Sequence, residues 1–193
     1  MSIYKGATYT GNMIDYLDPK PEQICIEDIA KGLSQECRFG SQSRIHYSVA
    51  THSIMVCGFA PKELKLEALL HDAEEAYIKD LPSPLVAAIS RGMTSQYRYI
   101  KSKIKRAIAE KFKLNYNVII ERPEGAISGY QVIREIDLRM AVTERNHLFK
   151  NPQPLFEGEN IQPYSQGSML FMPDTMIETE RKFLGMYDLY KRD

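Results

Sequence analysis

From Ile26 onward the apolar residues recur at helical spacing, and no stretch alternates strongly enough to read as a strand. Ile26, Ile29, Ala30 and Leu33 keep the i, i+3, i+4, i+7 order of one helix face. Ile100, Ile104, Ile108 and Phe112 fall four apart, and the segment with Ile133, Ile136, Met140 and Ala141 carries Asp137 and Glu144 as well. A chain patterned this way can bury its apolar stripes only against other helices, so the expected class is all-α, a compact helical bundle. Its 193 residues suffice for one core and are short for two. A single domain over 1–193 is expected, its core at about 26–149 between an N-terminal arm and a C-terminal helix.

Breakers and caps place the elements. Residues 1–23 are rich in Tyr, Gly, Asp and Pro and read as an irregular covering arm. The first helix starts at Ile26 and breaks around Arg38–Ser43, where Gly40 suits an exit. A second spans Tyr47 to Phe59, with Val49, His52, Ser53 and Val56 on one face, so His52 points inward. A third runs from Pro61, well placed in a first turn, to Ile78. Two prolines make Asp80-Leu81-Pro82-Ser83-Pro84 a turn, after which Ser83-Pro84 opens a short helix. Further helices are expected over Gln96–Phe112, Tyr130–Phe149 and Asp174–Tyr190. Asn115–Pro123 reads as a loop, and Asn151–Gly167 as an excursion of unassigned role.

Lys+Arg and Asp+Glu both number 25, so the formal charge is zero and the general basic field of a nucleic-acid binder is missing. No run approaches the ~18–20 apolar residues that cross a bilayer, and the N-terminus has no apolar signal core. Cys25, Cys37 and Cys57 show no CxxC spacing and read as small reduced core residues. The expected setting is cytoplasm, including that of an infected host, with no membrane and no nucleic-acid polymer as partner.

The chemistry centres on His71-Asp72, which closes the apolar run Leu66–Leu70. An imidazole beside a carboxylate is a borderline ligand pair, suited to zinc, cobalt, manganese or iron. Neighbours in sequence cannot enclose a cation alone. His52 upstream and Asp137 downstream, both on amphipathic segments, are the candidates to complete the set. Glu75 lies one turn beyond the pair, within reach for general acid/base work, while Glu74 reads as a solvated surface residue.

The order H…HD…D on helices resembles the HD-domain metal-dependent phosphohydrolases. Leu69–Pro84, with His71-Asp72-Ala73 followed by Asp80-Leu81-Pro82-Ser83-Pro84, looks like the HDA-x-E…DLP-[ST]-P block of their 5'-deoxynucleotidase branch. Ile29–Gly40 and Tyr47–Ser53 look like its phage-type members, which include dATP triphosphohydrolases. The resemblance runs from about Ile26 to Phe149. It implies His52, His71, Asp72 and Asp137 as ligands to a divalent zinc, cobalt or manganese, with Glu75 and Asp80 as catalytic carboxylates. Asp80 would also cap its turn. It implies Arg38 as a phosphate clamp. Beside the resemblance, Phe39 and Pro82 read as walls of an apolar, flat base pocket, and Lys79, for distal phosphates, Arg139 and Arg145 are weaker candidates. His46 and His147 are set aside as ligands.

The expected reaction is hydrolysis at the α-phosphorus of a deoxynucleotide, foremost dATP to deoxyadenosine plus triphosphate. The alternatives are a 5'-deoxynucleotidase acting on dNMPs, a cyclic-nucleotide phosphodiesterase, and a silent nucleotide-sensing HD module. The second of these fits poorly, because the chain has only four histidines. A bundle this small has little room for a base pocket of its own, so a homo-oligomer, dimer or hexamer, is expected.

Overall fold

The computed structural model describes residues 3–89, 96–119, 129–156, 158–165 and 174–192. Among them the chain is mostly helical, an all-α bundle with one small hairpin at its N-terminal end. The arm expected to be irregular is that hairpin: β1 (Lys5–Ala7) pairs antiparallel with β2 (Met13–Asp15), Gly6 opposite Ile14. Three-residue strands are too short to show alternation. Tertiary contacts fix them instead. Ile14 is buried, and the Thr10 N–H and hydroxyl donate to the Asp28 carboxylate at 2.7 and 2.8 Å.

Asp28 belongs to α1 (Ile26–Gln35), which buries Ile29, Ala30 and Leu33 as its pattern predicts. The chain then loops back, with the Arg38 N–H on the Tyr47 carbonyl at 2.9 Å, into α2 (Val49–Phe59). α2 starts at Val49 because the Ser48 hydroxyl caps it, accepting from the Thr51 N–H at 3.1 Å. It is apolar on most sides and packs against α1 and three later helices, which makes it the centre of the bundle. Lys65 closes its far end, donating to the carbonyls of Cys57 and Gly58 at 2.6 and 2.9 Å.

The long third helix expected from Pro61 to Ile78 is interrupted. Pro61 leads a 3-10 turn (Lys62–Leu64), then come α3 (Lys65–Leu69) and, after a turn, α4 (Glu75–Ile78). Side chains take the carbonyls that a continuous helix would use. His71 Nδ1 donates to the Ala68 carbonyl at 2.8 Å, the oxygen that would otherwise serve the Asp72 N–H. Lys105 donates to the His71 carbonyl at 2.8 Å, and the Glu75 N–H goes instead to the Asp72 carbonyl at 3.0 Å. Periodicity alone could not show this break.

Lys79, at φ 73°, ends α4, and the proline turn leads into α5 (Ser83–Ile89). α6 (Gln96–Lys111) buries Ile104 and Ile108. A short helix, α7 (Tyr116–Ile119), replaces part of the expected loop because Val118 and Ile119 bury themselves beside the next helix; residues 120–123 lie outside the described residues. α8 (Gly129–Leu148) matches its sequence pattern, and Arg44 donates to the His147 carbonyl at its end. α9 (Met176–Tyr190) opens with a capping box of Thr175 and Glu178 and buries Phe183 against the core.

The described part of the excursion is a strap pinned along α8. Arg145 clasps Glu159 at 2.6 and 2.9 Å, and the Tyr164 N–H donates to the Thr143 hydroxyl at 2.8 Å. Phe59 stacks on Tyr164, ring centroids 4.1 Å apart. Gln166 and Gly167 fall outside the described residues. No helix among the described residues is long and apolar enough to cross a membrane.

Candidate metal centre

The interrupted third helix places His71 and Asp72 in a turn facing α2 and α8. His52 on α2, His71 and Asp72 offer ligand atoms that all lie within 4.8 Å of one another. The His52 and His71 rings are 5.3 Å apart. Asp137, on α8, joins the group through His52: its Oδ1 is 3.2 Å from His52 Nε2. The four residues picked from sequence thus lie together. The three-residue cluster is of coordination size, and Asp137 abuts it.

Each imidazole has its tautomer fixed from behind. His52 Nδ1 is 2.7 Å from Glu144 Oε1, and His71 Nδ1 is 2.8 Å from the Ala68 carbonyl oxygen. Both partners only accept, so both Nδ1 atoms donate. Both Nε2 atoms are buried, turned to the centre and without a hydrogen-bond partner. Carboxylate oxygens stand nearby, Asp72 Oδ2 at 3.1 Å from His71 Nε2, but they are not aligned as hydrogen bonds. Orphaned buried nitrogens are costly unless something fills the gap between them. Two imidazoles braced at Nδ1, facing two carboxylates, form a donor set that fits a divalent cation.

The electrostatics agree. Burial and Arg38 oppose a charge on His52, yet Glu144 and Asp137 outweigh them and raise it to about 9. A proton on His52 Nε2 would occupy the place a cation would take. Burial works against ionised Asp72 and Asp137, but His71 on the first and His52 on the second hold both carboxyls below the usual range. Arg134 donates to the other Asp137 oxygen at 2.8 Å.

Glu144, placed by sequence on the same helix as Asp137, was given no role there. It is fully buried and accepts from His52, from the Tyr47 hydroxyl at 2.9 Å and from Arg38 Nε at 3.1 Å. The available signal was its position seven residues after Asp137, two turns along the same helix. Arg38 is buried: Glu144 holds its Nε, and its Nη1 is 3.9 Å from Asp72 Oδ2. Burial lowers its basicity, but Glu144, Asp80, Asp137 and Asp72 raise it further, so it stays charged.

Glu75 is buried, with one carboxylate oxygen 3.1 Å from Lys101 Nζ and the other unpartnered. Burial first, then Asp72, push its carboxyl well above the usual range against the pull of Lys101. Glu74, read from sequence as a solvated surface residue, is fully buried. Lys101 and Lys105 from α6 cover it at 3.0 and 3.3 Å, a contact no local pattern foretold. Asp80 is raised chiefly by burial, with Arg38 opposing.

The other predicted substrate contacts are more peripheral. Phe39 meets Phe149 edge-on, centroids 5.2 Å apart. Phe39, Gly40 and Ser41 all have φ near +60°, and a Cβ on Gly40 would sit 3.4 Å from Pro82 Cγ. The left-handed turn and the proline turn therefore lie side by side, with room for no more than a methyl group between them. Lys79 is largely exposed and pairs with Glu36 at 2.9 Å. Arg145 is committed to the strap, as is Arg139, which donates to the Gln162 carbonyl at 3.2 Å. His46 is exposed, and His147 Nδ1 faces the Thr143 carbonyl at 2.8 Å.

No family model matches the chain. It is 34% identical over 148 residues to the uncharacterized protein YfdR of Escherichia coli, spanning 77% of this chain and 73% of YfdR. It is 36% identical over 114 residues to an uncharacterized protein of Rhodobacter capsulatus, spanning 54% of this chain and 56% of that one.

Proposed function

This chain belongs to the family of the Escherichia coli protein YfdR, and for it we propose metal-dependent hydrolysis of deoxynucleotides by an HD-type centre. One observation carries the reading: two buried, unpartnered Nε2 atoms converge with the Asp72 carboxylate inside 4.8 Å. His52, His71, Asp72 and Asp137 would hold the cation. Zinc, cobalt or manganese bound there supplies positive charge to phosphoryl oxygens and acidifies a water.

The chain's own groups do the rest. Glu75, whose carboxyl burial and Asp72 push above the usual range, is the group to give a proton to the departing 5'-oxygen. Arg38, braced by Glu144, presents its guanidinium beside Asp72 to a phosphoryl oxygen. Asp80 orients the water or the sugar. The adjacent turns at Gly40 and Pro82 form one wall for the base, with Phe39 at its edge. Lys79 would leave Glu36 to meet distal phosphates. The favoured reaction adds water to dATP, breaks the bond between the 5'-oxygen and the α-phosphorus, and releases deoxyadenosine and triphosphate. α5 leaves Leu85 and Ile89 45% and 49% exposed beside the proline turn, where a second copy would complete the base pocket.

The test is anion-exchange analysis of products from equal concentrations of dNTPs and dNMPs with each metal. Deoxyadenosine plus intact tripolyphosphate from dATP is expected, with dATP ahead of dGTP. Turnover of dNMPs of every base with dNTPs untouched makes the protein a general 5'-deoxynucleotidase. No turnover of any nucleotide by the metal-loaded protein overturns the enzymatic reading.

A further inference from the structure

The strap and α8 flank an open groove that the proposed reaction does not use. Its volume is about 350 Å³, and Tyr130, Arg134, Leu138, Arg139 and Ile161 are among the residues that line it. That is at the lower end of the range for small-ligand sites. The groove is held open from outside. Buried Arg145 clasps Glu159 on one side of Ile161, and Tyr164 is tied to Thr143 on the other. Arg139 is fixed as wall, its guanidinium on the Gln162 carbonyl and 4.2 Å over the Tyr164 ring.

Arg134 differs. Its side chain is half exposed and donates to Asp137 Oδ2 at 2.8 Å. Asp137 Oδ1 faces His52. The guanidinium therefore stands where the groove meets the metal centre. Glu135 lines the same groove and adds a negative charge, which disfavours a polyanion.

We propose that this groove is a second ligand site, taking a flat aromatic ring between Leu138 and Ile161 and a single anionic group on Arg134. Nucleoside monophosphates have this chemistry. An anion on Arg134 competes with Asp137 for the guanidinium, so occupancy changes how Asp137 is held. Binding in the groove does not depend on the hydrolase reading; its coupling to the metal centre rests on the ligand set given there.

The experiment is calorimetric titration of the metal-free protein, in chelator, with dAMP, deoxyadenosine and inorganic phosphate. dAMP should bind at least about tenfold more tightly than either fragment, the difference expected from one charge-assisted contact. Arg134→Gln, at an exposed position, should weaken dAMP by about tenfold, and Leu138→Trp should fill the groove and block it. Asp72→Ala should leave dAMP binding intact, since it touches only the metal centre. Saturating dAMP should tighten zinc binding to the wild type by about fivefold or more, and not to Arg134→Gln. Equal dAMP affinity in wild type and Arg134→Gln overturns the site. Loss of binding in Asp72→Ala also overturns it, by placing the nucleotide at the metal centre. Failure of catalysis with dAMP binding intact touches only the hydrolase reading.

Discussion

Glu144 shows how a single side chain organises the centre. It neutralises Arg38, fixes the His52 tautomer and accepts from Tyr47, all without solvent contact. Glu144→Gln keeps the shape but loses the charge and offers one acceptor oxygen where two are used. Metal affinity should fall ~10–100-fold, the usual loss when a group behind a ligating histidine is replaced, as read by competition with a colorimetric chelator. Asp72→Ala should act more severely, removing the ligand that His52 and His71 share. A purified Asp72→Ala protein with full metal content and normal turnover would refute the ligand set. Glu75→Gln should retain metal yet lower kcat by ~10²–10⁴-fold; an unchanged kcat would assign the proton to another group. That the four proposed ligands lie together was legible because each stands at a position periodicity could interpret: His52 on an inward face, His71-Asp72 at the end of an apolar run, Asp137 on the patterned face of α8. The part played by Glu144, and the burial of Glu74 under Lys101, were not. A charged residue on an amphipathic helix looks solvated until the neighbour that covers it is known.

Elements set the distances between these residues. α1 crosses α4 at Gly32, where a Cβ would lie 2.8 Å from Ala76 Cβ and 3.0 Å from the Ala76 backbone. That crossing seats Ala76 next to Glu75. Gly32→Ala gains up to ~1 kcal/mol of helix propensity but must push two backbones apart, at a cost of ~1–3 kcal/mol. Net destabilisation in urea, with lower turnover from a displaced Glu75, is expected; a more stable and fully active variant would show the crossing to be loose. The boundaries of α6, α8 and α9 followed from the pattern to within two residues, because long amphipathic faces are local signals. The break between α3 and α4 was not readable. It depends on Lys105, from another helix, taking the His71 carbonyl. The hairpin likewise depends on Asp28.

At the scale of the whole molecule, the zero net charge hides a local imbalance. Asp72, Asp137 and Glu144 crowd around Arg38 and two histidines in one buried volume. Arg38 and Arg134 offset part of that charge from the side, Arg38 against Glu144 and Asp72 and Arg134 against Asp137. If the proposed ligand set holds a divalent ion in the folded chain alone, that ion should raise stability by about 2.7 kcal/mol at a hundred times the Kd. For a domain of this size that corresponds to roughly 5–10 °C in Tm. The far end of the bundle offers a control. Arg192, just after α9, reaches back to buried Glu67 on α3 at 2.7 Å, and the Asn115 N–H donates to the same oxygen at 3.1 Å. Arg192→Ala leaves that carboxylate with one partner and should cost ~1–3 kcal/mol, partly recovered by Glu67→Gln. Yet α3 also leads into His71, so both ends of the molecule act on one short helix. Scanning calorimetry with and without chelator separates the two effects. Arg192→Ala should lower Tm in both states while keeping the metal increment, whereas Asp72→Ala should abolish the increment. If Arg192→Ala erased the metal increment as well, the clamp at the chain's end would be part of the metal centre's support and not merely of the core.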